Sequence, residues 1–190
     1  MATASPEHER LLDLVAAYCL DHGVADLTLR GVARAVGSNN RMLLYYFGSK
    51  EAMISAALQQ AAQRFPQLLN AFELLEQPSR TLPERLDDTW KAISADVNLP
   101  FIRLFFEVFG LAAHQPGRFD AYLGSVGHEW SARVAAIFQR EGATPAAARR
   151  IGTEIVALWR GLQMDLLSSG ERKRIDRTHR EAMNRLVHSS

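Results

Sequence analysis

Between Ser38 and Glu51 the chain carries Asn39, Asn40, Arg41, Tyr45 and Lys50. Asn can pair with an adenine edge and Arg with a guanine edge through two hydrogen bonds each. Lys suits a phosphate. From His22 to Lys50, four basic residues (Arg30, Arg34, Arg41 and Lys50) stand against one acid, Asp26. Such a local basic face is what phosphate binding needs. A solvated charged surface has the same composition, and the net charge of +1 over 190 residues does not separate the two readings.

Other chemistry finds little support. His128 and Glu129 are adjacent and point different ways on a helix, so they lack metal-ligand spacing. The sequence has no His-Glu-x-x-His, no cysteine pair, no glycine-rich phosphate loop after a strand and no Gly-x-Ser-x-Gly. No enzyme, metal or cofactor is expected. The single cysteine, Cys19, lies among apolar residues and reads as a buried thiol. The start of the chain lacks a charged-then-apolar leader, and no run of about 18 apolar residues occurs. The expectation is a soluble, cytoplasmic protein that does not enter a membrane.

Helices must position the candidate residues, because nearly every segment has helical period and strand alternation is hard to find. Pro6 and Glu7 open a first helix with Leu11, Leu12, Val15, Tyr18 and Cys19 on one stripe, and Gly23 ends it. Asp26 or Thr28 caps a second, with Leu29, Val32, Ala33 and Val36 inward and Arg30 and Arg34 sharing a face. After Gly37, Ser38 or Asn39 caps a third. There Leu43, Tyr46 and Phe47 pack inward, and Asn40, Arg41, Leu44 and Tyr45 stay outside. Gly48 breaks that helix and Ser49 caps the next. The next helix runs to about Glu76 and must bend or break at Pro66. A turn-rich linker spans 77–83. Further helices are expected at about 83–97, 100–114, 117–141, 145–168 and 171–187, giving about nine in an all-α fold.

Val32-Ala33-Arg34-Ala35-Val36-Gly37 followed by Leu43-Leu44-Tyr45-Tyr46-Phe47-Gly48-Ser49-Lys50-Glu51 resembles the DNA-binding domain of TetR-family transcriptional regulators, over roughly residues 8–55. The resemblance implies a three-helix helix-turn-helix domain at 1–52 and a ligand-binding and dimerisation domain at 53–190. It places the amide end of the second helix at Thr28 beside a phosphate and Arg30 near a base. Asn39, Asn40, Arg41 and Tyr45 go to the groove, and Lys50 to a phosphate. The implied protein is a homodimeric repressor that a small molecule releases from a double-stranded DNA operator. Three positions depart from the family pattern: Arg41 replaces its usual Gly, Leu44 its usual aromatic, and Tyr46 its frequent His. Leu44 cannot donate to a phosphate.

In the larger part, Trp90, Phe105, Phe109, Tyr122, Trp130 and Trp159 are candidates to line a cavity. His114, Gln163, Arg103, Glu107 and His128 are candidate polar anchors. A solid core accounts for the same aromatics. Arg103 and Glu107, at i and i+4, are expected to pair with each other. Ile155, Leu158, Leu162 and Leu166, with Ala182 and Leu186 of the last helix, are expected at a two-fold interface. The competing readings are burial of these stripes within one chain, a helical ligand-binding protein that no longer reads DNA, and, least favoured, a small helical enzyme.

Overall fold

In a computed structural model, which describes residues 5–115, 117 and 119–188, the chain is helical, with eleven α-helices. They are α1 Pro6–His22, α2 Leu29–Ala35, α3 Asn40–Phe47, α4 Lys50–Ala62, α5 Pro66–Leu69 and α6 Ala71–Leu75. Then follow α7 Leu82–Ile93, α8 Leu99–His114, α9 Asp120–Arg140, α10 Pro145–Ser169 and α11 Arg172–His188, with a 3-10 turn at Asp96–Asn98 between α7 and α8. No strand occurs among the described residues. The all-α expectation therefore holds. The count exceeds nine because the helix expected over 50–76 is three pieces. Pro66 lacks a backbone donor, and the chain restarts there as α5 after a turn at Gln63–Arg64.

Two compact units divide the chain: Met1–Pro66 with Pro100–Tyr122, and Gln67–Leu99 with Leu123–Ser190. Two of the three crossings fall at a proline.

The first unit contains α1 to α4 and nearly all of α8. Leu11, Val15, Ala16 and Cys19 of α1 pack with Met53, Ile54, Ala57, Leu58 and Ala61 of α4, all closed to solvent. Burial pushes the Cys19 thiol up to about 12, so it is a protonated, inert packing group. Gln60 donates to the Asp13 carboxylate, and Arg64 to the Asp13 carbonyl at 3.0 Å. On α8, Phe101 is buried with its ring tilted against that of Phe65, while Phe105, Phe106 and Phe109 are half-buried rings in mutual contact. Asp96–His114 is the one described segment long and apolar enough to span a membrane, but it holds Arg103 and Glu107 in its middle.

The second unit is built on α7, α10 and α11. Thr81 and Glu84 form a capping box that starts α7: the Glu84 carboxylate accepts from the Thr81 N–H at 2.9 Å. Trp90 of α7 and Trp159 of α10 enclose His179 of α11. Gly152 lets α10 approach α9 closely; a Cβ there would meet the Ser131 carbonyl oxygen at 2.5 Å. Arg85 is buried, donates to the Leu75 carbonyl and pairs with Glu141.

Candidate nucleic-acid interface

The reading face is assembled by three caps and a turn. Thr28 Oγ1 accepts from Gly31 N at 3.1 Å and starts α2. After α2, Gly37 has φ +65°, a conformation a residue with a Cβ resists, and Ser38 N reaches back to the Ala33 carbonyl at 2.8 Å. Asn39 Oδ1 accepts from Met42 N at 3.0 Å and starts α3, and Ser49 Oγ accepts from Ala52 N at 3.0 Å and starts α4. Of the alternatives open in the sequence, Thr28 rather than Asp26 caps α2, and Asn39 rather than Ser38 caps α3.

Val32 and Ala33 of α2, and Val36 just after it, are buried with Leu43 and Phe47 of α3, which fixes the two helices against each other. Tyr46 is half-buried, with its ring 5.8 Å from that of His8 and edge-on to Tyr45. The opposite side carries the candidates. Arg30, Arg34, Asn40 and Arg41 are exposed, Tyr45 is 76 % exposed and Leu44 41 %. Arg30, Ala33, Arg34, Ser38, Asn39 and Asn40 line an open groove between α2 and α3. Lys50 is half-buried in the first turn of α4, where its ammonium adds to the field of the free helix amides.

This face has no counter-charge of its own. From Leu27 to Lys50 there is no Asp or Glu. Among the described residues, Arg30, Arg34, Arg41 and Lys50 form no ion pair, whereas Arg10, Arg85, Arg150 and Arg174 each hold a carboxylate. The two asparagines differ in capacity. Asn39 Oδ1 is occupied by its own helix, so only its NH2 is free to reach outward. Asn40 keeps both oxygen and NH2 available for a paired contact with a base edge. Arg34 is absent from the expected contact set but lines the groove. Its i+4 relation to Arg30 was the sequence signal for it.

The candidate ligand residues go to different places. In the first unit, Phe105 and Phe109 lie with ring centroids 4.8 Å apart, and His114 is exposed. In the second, Trp90 and Trp159 are 0 % and 1 % exposed, so they are closed core around His179 and present no wall to a cavity. The Gln163 amide donates to the Ile93 carbonyl at 3.1 Å. Trp130 is half-buried, edge-on to Phe72 at 4.6 Å. Glu107 does not pair with Arg103. Its carboxylate instead accepts from Val24 N at 2.9 Å and Ala25 N at 2.7 Å, two backbone donors left at the end of α1. No His/Cys/Asp/Glu cluster suited to a metal occurs among the described residues.

The expected interface stripe is also closed. Ile155, Leu162, Leu166 and Ala182 are buried within the chain, and Leu158 and Leu186 are half-buried. Ile155, Trp159, Leu162 and Leu166 of α10 fill the core, while Ala157 and Gly161 remain outside beside Met164, which is 47 % exposed.

Residues 13–57 match the family model of bacterial regulatory proteins of the tetR family. The segment that carries α2 and α3 is thus similar to the tetR-family regulatory proteins. Solved structures extend the likeness to the whole chain. A TetR transcriptional regulator from Legionella pneumophila aligns with TM-score 0.68 at 15% identity, covering 97% of this chain and 98% of that one. A transcriptional regulator from Rhodococcus sp. Rha1 gives TM-score 0.76 at 15% identity, with 96% of each chain covered. The multidrug binding protein EbrR, complexed with imidazole, gives 0.69 at 24% identity, covering 96% and 91%. No curated protein matches the chain by sequence. At these identities the structures establish that the chain has the TetR-type fold. By sequence, the likeness to the family lies in residues 13–57.

Proposed function

We propose that the protein is a dimeric, ligand-responsive transcriptional regulator of the TetR type, acting as a repressor that a small molecule releases from its operator. The observation that carries this is the acid-free outer face of α2 and α3, where Arg30, Arg34, Asn40 and Arg41 project without an ion pair or hydrogen bond of their side chains among the described residues and Tyr45 stands exposed beside them. In a major groove, Arg41 reads a guanine edge and Asn40 an adenine edge. Lys50, Thr28 and the amide end of α2 hold phosphates. Two heads related by a two-fold axis then read a near-palindromic site, with half-sites about 34–36 Å apart or a multiple of that.

For the dimer, α10 and α11 of each copy supply a four-helix contact through Ala157, Gly161 and Met164, flanked by Leu158 and Leu186. For the effector, the half-buried rings of Phe105 and Phe109 offer apolar contact. The multidrug binding of EbrR, a protein of the same fold, supports a small-molecule effector here. Release requires a ligand with different affinity for the DNA-fitting and the non-fitting dimer. The cytoplasm is the matching compartment for a DNA-reading protein with one inert thiol.

Selection of duplexes from a random-sequence pool by the wild-type protein tests the reading. Enrichment of a two-fold symmetric sequence is expected, and a pool that stays random refutes DNA reading. Leu44, which cannot donate to a phosphate, favours one second reading: a helical ligand-binding protein with weakened DNA contact. That reading requires a dimer in solution with no enriched duplex.

A further inference from the structure

We infer that Glu107 is a positioning residue for DNA binding: it fastens the reading head to α8 and so sets the pose in which α3 is presented. The inference rests on the DNA-binding reading above. Its geometry belongs wholly to the first unit.

Helix α1 ends at Gly23, with φ +72°, and the chain then turns toward α2. The Val24 and Ala25 N–H groups at this corner lie outside the α1 hydrogen-bond ladder. Both are taken by one carboxylate 82 and 83 residues further along, at 2.7 and 2.9 Å. Val24 is buried, so the loss of its acceptor there is not made good by water. Charge-assisted bonds from two adjacent amides to one carboxylate are short, strong and directional. The corner is also shaped around this carboxylate: a Cβ on Gly23 would meet Glu107 Oε2 at 2.6 Å and Oε1 at 2.8 Å.

The position of the latch gives it leverage. The corner it grips connects α1 to α2, and α2 carries Arg30 and Arg34 and packs on α3. Glu107 stands in α8 within two residues of Phe105, Phe106 and Phe109. A dimer binds a full operator well only when both heads are held in register. A loosened head must be ordered on binding, and the cost appears only when two heads engage together. Glu107 contacts neither base nor phosphate in this account; it acts through the corner.

The experiment compares wild type with Glu107→Gln and Glu107→Asp on two duplexes selected by wild type: the full two-fold site, and a duplex in which one half is scrambled. Gln replaces one acceptor oxygen by an NH2 that faces an amide donor. Asp keeps the charge but is one methylene too short to hold both amides. Glu107→Gln is expected to weaken the full site at least ten-fold and the half-site less than two-fold, with Glu107→Asp in between. Val24 and Ala25 amide exchange should speed up at least ten-fold, while Leu43 in α3 keeps its protection. Equal losses on both duplexes, in either variant, mean a merely structural role and overturn the inference. So does full-site affinity, or amide exchange, that stays unchanged. If Gln prevents folding, the Asp variant decides by the same two ratios. A wild-type protein that retains no duplex sinks the DNA-binding reading, and the positioning role falls with it.

Discussion

Trp159 donates its indole N–H to Nε2 of His179 at 3.1 Å, in a site where the histidine has no exposure at all. The bond fixes the tautomer: Nε2 must be the bare nitrogen, so the proton sits on Nδ1. Nδ1 has no hydrogen-bond partner, and its nearest acid is Asp87 at 3.9 Å. The Trp90 ring stacks on the other face at 5.0 Å, with its own N–H bonded to Asp176.

Protonating His179 would set an N–H against the indole N–H. Burial lowers its pKa to about 4; Asp87 and Asp176 oppose that shift, while Arg180 and Lys91 add to it. An unfolded histidine takes its proton near pH 6.5. Between those values the unfolded chain binds more protons than the folded one, so stability falls as pH falls from about 6.5 toward 4. The slope is about 1.4 kcal/mol per pH unit, or about 2 kcal/mol lost between pH 6.5 and 5. Urea unfolding of wild type and His179→Gln across that range checks it. Gln can still accept from the indole but does not titrate, so the difference between the two proteins should shrink by about that amount. A constant difference would show that His179 is not the titrating group.

Asn39 and Asn40 are adjacent and should respond oppositely. Asn39→Ala removes the α3 cap and should cost about 1 kcal/mol of stability. Asn39→Ser, which restores a capping oxygen, should recover most of it. Asn40→Ala should leave the melting temperature within a degree or two, while weakening the selected duplex by about 1–3 kcal/mol. Thermal melts and anisotropy titrations of the three variants separate cap from reader.

The sequence made the architecture of the head legible because each of its devices is local. Thr28, Asn39 and Ser49 are capping residues at the right offsets, Gly37 and Gly48 punctuate, and Leu43 and Phe47 have the spacing of a buried face. The larger part was less legible, since packing there is decided by residues far apart. Glu107 looked like a partner for Arg103 four residues away, yet its acceptors serve backbone donors more than eighty residues distant. Trp90 and Trp159 have a composition that fits either a cavity wall or a core. Only their meeting at His179 of α11, remote in sequence, makes them core. On α10, apolar residues occupy more than one side, and which side is buried is decided by the helices that pack on it, not by its own periodicity.

Gly152 is a packing requirement. Ala at this position would place a methyl 2.5 Å from the Ser131 carbonyl oxygen and 3.0 Å from Ala135 N, both of them backbone atoms that cannot rotate away. Helices α9 and α10 must then separate, at a cost of about 1–3 kcal/mol typical of overpacking. Gly127→Ala, in α9, is the matched control: a Cβ there meets nothing within 4 Å, and Ala is the better helix former. Chemical denaturation should show loss for the first and no loss for the second.

The dimer contact proposed for α10 predicts a split between neighbours. Met164→Glu puts a charge on the exposed side of α10 and should shift sedimentation at micromolar concentration from dimer to monomer, with helicity retained. Leu162→Ala should instead lower stability by about 2–5 kcal/mol, because that side chain is core. A dimer unaffected by Met164→Glu would place the interface elsewhere.

The central claim is that the face of α2 and α3, with Lys50, grips DNA. Its most direct test is the salt dependence of affinity for the selected duplex, measured for wild type, Lys50→Ala and Arg41→Ala. Loss of one phosphate contact should lower the slope of log Kobs against log salt by about 0.9 in Lys50→Ala. Loss of a guanine reader should cost Arg41→Ala about 1–3 kcal/mol and relax the sequence preference at one position. Affinity and slope unchanged in both variants would contradict the account.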